Sequence, residues 1–243
     1  METAGITPAR FGKRQTAAFE VAVVLGCGLT TVGCVIAIFG THPAASIGAV
    51  WLANMLMIGL VYGGLRLRGQ GWSHFGLTTA LGRWQSCLRG FLYSIPVFVF
   101  AIAAFVLAAI VMANIVGMPK GADMSKYDDL RGNLTMTILA LLSVYFVSSF
   151  AEEVIYRGFM ITRISEAAGE GRGACWLAVL VSSAVFGFVH SDWGIAGMVQ
   201  ASFMGVALGV SYLIVRRSLW VTILAHAYMD TILVLQMYFA SPP

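Results

Sequence analysis

Long apolar stretches alternate with short polar ones along the whole chain, and this pattern predicts a bundle of membrane-spanning helices. About 20 consecutive apolar residues are enough for a helix to cross the hydrocarbon core of a bilayer. Gly, Pro and charged residues between the apolar stretches mark the turns. The first three predicted spans cover residues 17–40, 45–65 and 91–116, and the fourth begins near residue 134. The fifth covers residues 174–190, the sixth ends at residue 215, and the seventh covers residues 219–239.

Three polar segments interrupt this series of about seven spans. Residues 66–89 mix Arg and Trp with apolar residues, which is typical of a segment lying at the membrane interface, and His74 is expected to be an interfacial polar group there. Residues 118–133 form one long loop of balanced charge, and residues 163–173 a polar, Gly-rich turn. We therefore expect a three-span N-terminal region, residues 1–133, and a second region, residues 134–239, within one membrane domain.

Composition supports an all-α, polytopic membrane protein without a separate soluble domain. Hydrophobic residues make up 59% of the chain and charged residues 11%, and the mean hydropathy is +0.84. A soluble domain carries about 25% charged residues. The four cysteines contain no CxxC pair, so we interpret them as small hydrophobic residues rather than as disulfide or metal sites.

The basic residues predict the orientation of the chain in the membrane. With seven spans, twelve of the fifteen Lys and Arg residues fall on the same side as the N-terminus. The other three, Lys120, Lys126 and Arg131, fall in the long loop on the opposite side. Basic residues are enriched in cytoplasmic loops, so the N-terminus is predicted to be cytoplasmic. The net charge of +4 is then a matter of topology and not of nucleic-acid binding.

The fourth span contains three charged residues within six positions: Glu152, Glu153 and Arg157. Each charge at membrane depth costs roughly 2.5–3.5 kcal/mol on insertion scales. On an α-helix Glu153 and Arg157 share a face and can pair, whereas Glu152 is rotated by about 100° and is free to act. The alternative is structural, because the same pattern at a helix end is common on solvated faces of soluble proteins.

Two later spans carry further ionisable residues. His226 and Asp230 lie in the seventh span, and with Glu152 they are about 13–20 Å from the cytoplasmic ends at 1.5 Å per residue. His190, at about 21 Å, is the deepest and requires a tilted or kinked helix. A lone histidine in a span is more often a packed, hydrogen-bonded residue than a catalyst. Several ionisable residues at one depth on three spans nevertheless indicate a functional cavity.

These groups could support hydrolysis of a carbonyl compound. A buried carboxylate beside a histidine can deprotonate water, and a second histidine can donate a hydrogen bond to the oxyanion. The chain contains no Gly-x-Ser-x-Gly and no His-Glu-x-x-His motif, so neither a covalent nucleophile nor a zincin site is indicated. Glu and His are also zinc ligands, so zinc stays open, although no cofactor is expected.

Three motifs in this order resemble the CAAX-protease and bacteriocin-processing (CPBP) family of intramembrane endopeptidases, also called the Abi family. The resemblance covers about residues 134–239 and implies a protease core there. It implies a membrane-associated protein or peptide as substrate, and the short chain resembles members of the bacterial inner membrane. The motifs are Glu152-Glu153-x-x-x-Arg157, Phe186-x-x-x-His190 and His226-x-x-x-Asp230.

The resemblance also implies a role for each motif residue. Glu152 and His190 would activate the water, and His226 with residue 230 would stabilise the oxyanion. Glu153 and Arg157 would support the site, and the glutamate mechanism would need no metal. The last motif often ends in Asn in this family. Because an ionised Asp230 accepts hydrogen bonds and cannot donate them, we expect it to orient His226 instead.

Two other classes of function remain open at this point. One is a non-hydrolytic membrane protein, such as an immunity factor or scaffold, that keeps the polar cluster for partner binding. The other is a small transporter that uses the same acids as a proton relay. The chain shows no internal repeat, and a single late cluster fits transport less well.

Overall fold

Seven main helices, short 3-10 helices and no strand are present in the part of the chain that the computed structural model describes, residues 12–78, 84–117 and 125–240. This confirms the predicted all-α, polytopic bundle. We number the helices in chain order: α1 Lys13–Phe39, α2 Pro43–Leu67, α3 Trp84–Val116, α4 Leu134–Ala167, α5 Arg172–Phe188, α6 Gly194–Ile214 and α7 Leu219–Phe239.

Within these described ranges, six helices are long and apolar enough to cross a membrane. The seventh, α5, is apolar but has only 17 residues. Large apolar side chains are exposed along the outside of the bundle, for example Phe91, Leu107 and Ile115 on α3. Such a surface suits lipid rather than water, and the chain is an integral membrane protein. The predicted cytoplasmic N-terminus stays a prediction.

Helix α4 continues further than the sequence pattern predicted. It ends at Ala167, so the first part of the predicted turn at residues 163–173 is wrong. Arg163 and Glu166 lie on its last turns and are buried. They contact Glu20 of α1 and Arg68, which follows α2, in a group that we call the helix-end cluster (Glu20, Arg68, Arg163 and Glu166). The helix can therefore continue through charged residues because their partners come from other helices.

The predicted interfacial segment, residues 66–89, is divided among three elements. Its first residues belong to α2 and its last to α3, while residues 79–83 lie outside the described residues. Between them, the short 3-10 helix Trp72–Phe75 folds into the bundle. Phe75 is fully buried and packs edge-on against Phe159 of α4, with 6.1 Å between ring centroids. His74 lies 3.6 Å from Glu166, so it meets the helix-end cluster rather than only an interface.

Helix α4 is central to the half of the bundle that contains the acidic motif. Its middle section packs against α2, α5, α7 and the 3-10 helix Trp72–Phe75. Helix α3 packs against α6 and α7, so the two predicted regions are in contact. The boundary predicted between residues 133 and 134 stays a prediction. Residues 118–124 of the predicted long loop lie outside the described residues, and the 3-10 helix Ser125–Leu130 follows them.

Gly187 allows α5 and α6 to approach closely just before the predicted site residue His190. A Cβ atom on Gly187 would lie 1.9 Å from Oγ of Ser202 and 2.5 Å from the carbonyl oxygen of Met198, both on α6. The serine side chain could move away, but the backbone carbonyl could do so only if the helix shifted. The absence of a side chain at residue 187 therefore fixes the distance between the two helices.

We expect Gly187→Ala to lower the free energy of unfolding by about 1–3 kcal/mol, the usual range for overpacking a core. The matched control is Gly173→Ala on the same helix, where a Cβ meets no atom within 4 Å. Thermal unfolding in detergent measures both variants. Equal melting temperatures for Gly187→Ala and the wild type would show that the two helices separate at no cost.

Candidate active site

The acidic motif lies on an unusual part of α4. Between Tyr145 and Met160 the backbone has π-helical, i→i+5 hydrogen bonding, with α-helical winding before and after it. π-Helical segments are rare and frequently occur at functional sites. Residues 151–160 are all buried. The winding brings residues five apart onto one face, so that Ser148 and Glu153 both lie next to His226.

The structure brings Glu153 and Arg157 together as the sequence predicted. Nη1 of Arg157 lies 2.8 Å from Oε1 of Glu153, and both side chains are buried. The guanidinium of Arg157 also lies over the ring of Phe186, 4.3 Å from its centroid. A buried carboxylate needs a charged or hydrogen-bonding partner, and Arg157 provides one from the next turn.

His226 is oriented by Glu153. Nδ1 of His226 lies 2.9 Å from Oε1 of Glu153, so the ring N–H donates to the carboxylate. Oδ1 of Asp230 is 3.9 Å from Nε2, which is too long for a hydrogen bond. Glu153 thus approaches the ring more closely than Asp230 does, and the expectation that Asp230 orients His226 stays a prediction. Spacing along one helix predicted the i,i+4 pair, but the carboxylate on the neighbouring helix approaches more closely.

Asp230 is held by a hydroxyl group that precedes the acidic motif. Oγ of Ser149 donates to Oδ2 of Asp230 over 2.7 Å. Ser149 is fully buried, and the side chain of Asp230 is only 14% exposed. Because Asp230 also lies 3.9 Å from His226, and His226 contacts Glu153, which pairs with Arg157, these four side chains form one cluster.

His190 lies in the turn after α5 and not within a helix. The helix ends at Phe188, two residues earlier than predicted, so no kink is needed to place His190. Its Nδ1 lies 2.7 Å from the carbonyl oxygen of Phe186. A carbonyl oxygen only accepts, so Nδ1 carries the proton, and in the neutral ring Nε2 is then an acceptor.

Phe186 lies between the two predicted catalytic histidines. Its ring centroid is 4.7 Å from that of His190 and 6.1 Å from that of His226. The ring of Trp193 packs edge-on against the other side of His190 at 5.0 Å. Aromatic contacts of this kind hold an imidazole ring in place without using its nitrogen atoms.

Glu152 is buried but not committed to a partner. Among the described residues Glu152 forms no ion pair, whereas Oε1 of Glu153 contacts Arg157 and His226; the Oε2 atoms of both glutamates have no hydrogen-bond partner. Glu152 interacts electrostatically with His226 and Asp230. Glu152 makes no direct hydrogen bond to His190. His190 is linked to the other site residues by its ring contact with Phe186, which also packs against His226.

A comparison with protein-family models gives one match to this region. Residues 134–232 match the type II CAAX prenyl endopeptidase Rce1-like family. Residues 134–232 form an Rce1-like domain. The match covers about two fifths of the chain and includes all six predicted site residues. Comparisons with curated proteins and with solved structures gave no significant match.

The Rce1-like match confirms the resemblance to the CPBP family. The matched family is one of CAAX intramembrane endopeptidases, and the match suggests a membrane protease. The roles of individual residues are not part of that finding. The cluster on α4 and α7 and the histidine after α5 are the structural basis for assigning them.

The Rce1-like domain contains no recognisable group of metal ligands. Among the described residues, no three His, Cys, Asp or Glu side chains are arranged to hold a metal ion. Nδ1 of His226 is occupied by Glu153 and Nδ1 of His190 by a backbone carbonyl, which leaves their Nε2 atoms as potential ligands. The expected absence of a cofactor stays a prediction.

Sequence reasoning missed Ser148 and Ser149, which contact the site from α4. Serine is common in membrane helices, where its hydroxyl can bond to the backbone of its own helix. The available signal was the position of the two serines, directly before a charged motif in an otherwise apolar span. That signal does not distinguish a local backbone bond from a contact with another helix.

Proposed function

We propose that this Rce1-like protein is an intramembrane endopeptidase that hydrolyses a peptide bond of a membrane-associated protein or peptide, with water activated by Glu152 and His190. The observation that carries the proposal is the contrast between two adjacent buried glutamates. Oε1 of Glu153 forms ion pairs with Arg157 and His226, whereas Glu152 forms no ion pair among the described residues, and the Oε2 atoms of both glutamates lack a hydrogen-bond partner. One glutamate serves the structure, and its neighbour is available to react.

The first step is removal of a proton from water. Glu152 in its ionised form accepts the proton while the water oxygen attacks the carbonyl carbon of the scissile bond. Nε2 of His190 can accept a second hydrogen bond from the same water, since Nδ1 keeps its proton on the carbonyl of Phe186. The proton on Glu152 then passes to the leaving amine, which restores the carboxylate.

The negative charge that develops on the carbonyl oxygen requires hydrogen-bond donors. His226 is suited to this role because Glu153 holds its Nδ1 and directs Nε2 toward Ser148 and Asp230. The role requires the imidazolium form of His226, in which both nitrogens donate, and the carboxylates of Glu153 and Asp230 lie beside the ring. The positive charge of Arg157 compensates the negative charge of Glu153, which allows both side chains to be buried.

The proposal includes a site that opens to the cytoplasm. We propose that the N-terminus is cytoplasmic, as the positive-inside distribution of Lys and Arg predicts, and that the protein resides in a bacterial inner membrane. A substrate would then approach from the cytoplasmic side of the bilayer. No nucleic acid is expected as a partner.

The experiment that tests the proposal is cleavage of a quenched peptide library by the purified protein in detergent. We expect cleavage by the wild type that is unchanged by a chelator, because a glutamate-activated water needs no metal. Loss of cleavage on chelation and recovery with zinc would contradict the glutamate mechanism and support a metalloprotease. No cleavage of any peptide, including membrane-tethered ones, would contradict the proposed activity and favour a binding role.

A further inference from the structure

The Nε2 side of His226 is surrounded by hydroxyl and carboxylate groups whose roles the proposed mechanism leaves open. Oγ of Ser148 lies 3.5 Å from Nε2, and Oδ1 of Asp230 lies 3.9 Å from it. The Ser148 hydroxyl is also close enough to the Asp230 carboxylate to interact with it. The Ser148 hydroxyl therefore lies next to both groups and can bridge them, as an acceptor from Nε2–H and a donor to Asp230.

The two neighbouring serines are not equivalent. Ser149 is fully buried, and its hydroxyl donates to Oδ2 of Asp230 over 2.7 Å. Ser148 is only half-buried, and its contact with His226 is at the long end of the hydrogen-bonding range. Ser149 is thus a fixed partner of Asp230, while Ser148 is less buried and its hydroxyl is loosely held.

The proposed mechanism lacks a second donor for the oxyanion. An ionised carboxylate only accepts hydrogen bonds, so Asp230 cannot serve, and its oxygens already receive the hydroxyl of Ser149. Nδ1 of His226 is engaged with Glu153, which leaves Nε2–H as the only donor on that ring. Oxyanion sites stabilise the charge through donors that are already in position when the charge develops.

We propose that the Ser148 hydroxyl is the second hydrogen-bond donor to the oxyanion, beside Nε2–H of His226. The inference rests on the proposed function, because it assigns a further catalytic residue to the same reaction. The hydroxyl rotates about its Cβ–Oγ bond from Asp230 toward the carbonyl oxygen of the substrate. It keeps its proton throughout and forms no covalent bond.

The π-helical winding of α4 explains why this residue is available. Ser148 and Glu153 are five positions apart, and both side chains contact the ring of His226, at Nε2 and Nδ1 respectively. In α-helical winding, the residues that share a face are three or four positions apart. The i→i+5 winding thus lets a single helix contact both nitrogens of one histidine.

The test measures kcat and KM of Ser148→Ala on a peptide that the wild type cleaves. Removing one oxyanion donor lowers kcat by about 10²–10³-fold, and we expect a loss of this size with KM nearly unchanged. Ser148→Thr keeps the hydroxyl and should retain most of the activity. The matched control is Ser183→Ala on α5, whose hydroxyl bonds to the carbonyl of Val179 in its own helix.

A double variant separates a donor from a structural residue. Asp230→Asn places an amide N–H group beside Ser148, where the carboxylate had none. If Ser148 supplies the missing donor, Ser148→Ala should lower kcat by less than about tenfold in the Asp230→Asn background. A residue that only supports packing would cause the same loss in both backgrounds, and this result would overturn the proposal.

The experiment distinguishes failure of the proposed role of Ser148 from failure of the proposed peptidase activity. Cleavage that requires Glu152 but is as fast in Ser148→Ala as in the wild type would overturn the role of Ser148 alone. Absence of cleavage by the wild type would overturn the proposed function and the role of Ser148 with it. Melting temperatures of all variants in detergent show whether a loss of kcat comes from unfolding.

Discussion

The Glu152→Gln variant is expected to lose peptidase activity by about 10²–10⁴-fold, the usual contribution of a general base. Glutamine has nearly the same size and shape as glutamate, but its amide cannot take a proton from water. Stability should not fall, because Oε2 of Glu152 has no hydrogen-bond partner to lose among the described residues, and a neutral amide is easier to bury than a carboxylate. Peptide cleavage and thermal unfolding in detergent measure the two effects separately.

Two other glutamates provide the controls for this variant. Glu170 is exposed and pairs with Lys13, so Glu170→Gln should change neither activity nor melting temperature. Glu153→Gln should lower both, because it weakens contacts with Arg157 and His226 in the interior. Full activity of Glu152→Gln, or equal effects of the two adjacent substitutions, would contradict the different roles proposed for Glu152 and Glu153.

The fold could be predicted because it depends mainly on the order of apolar and polar stretches along the chain. A membrane helix needs a long apolar stretch, and the chain alternates such stretches with short polar ones. The ends of helices were predicted less well. Arg163 was predicted to begin a turn, since charged residues normally leave the membrane at such places, but it continues α4. Its partners Glu20 and Arg68 come from α1 and the end of α2, and no local pattern reveals that these helix ends meet.

The candidate site was predictable as a set of residues but not as an arrangement. Ionisable residues in apolar spans are rare, so Glu152, His226 and Asp230 were conspicuous. The hydrogen bonds among them depend on helix rotation. The sequence interpretation assumed α-helical geometry, whereas α4 has π-helical winding between Tyr145 and Met160. In the structure Oε1 of Glu153 lies 2.9 Å from Nδ1 of His226, closer than the 3.9 Å between Oδ1 of Asp230 and Nε2.

The helix-end cluster holds α4 to the first two helices at one end of the bundle. Nε of Arg163 lies 2.7 Å from Oε2 of Glu20, and Nη1 lies 3.1 Å from each carboxylate oxygen of Glu166. Nη2 donates to the side-chain oxygen of Gln70 over 2.9 Å. Arg68 contacts the same two carboxylates, at 2.6 and 3.0 Å. Arg163 is buried and shares the compensation of these two carboxylates with Arg68.

Arg163→Met is expected to lower the free energy of unfolding by about 3–5 kcal/mol, the range for removing one partner of a buried ion pair. Methionine fills a similar length but leaves the carboxylates of Glu20 and Glu166 with Arg68 as their main cationic partner. Lys13→Met is the control, since Lys13 and its partner Glu170 are both exposed, and no measurable change is expected. Thermal unfolding in detergent compares the two variants.

A second substitution tests whether the loss comes from unpaired charge or from lost packing. Adding Glu20→Gln to Arg163→Met removes one of the carboxylates that the arginine had compensated, so the double variant should regain part of the lost stability. If the cluster acted only through side-chain packing, the second substitution would have no effect or would destabilise further. Peptidase activity should follow the same order, because α4 joins the helix-end cluster to Glu152, and a displaced helix end moves that carboxylate relative to His190.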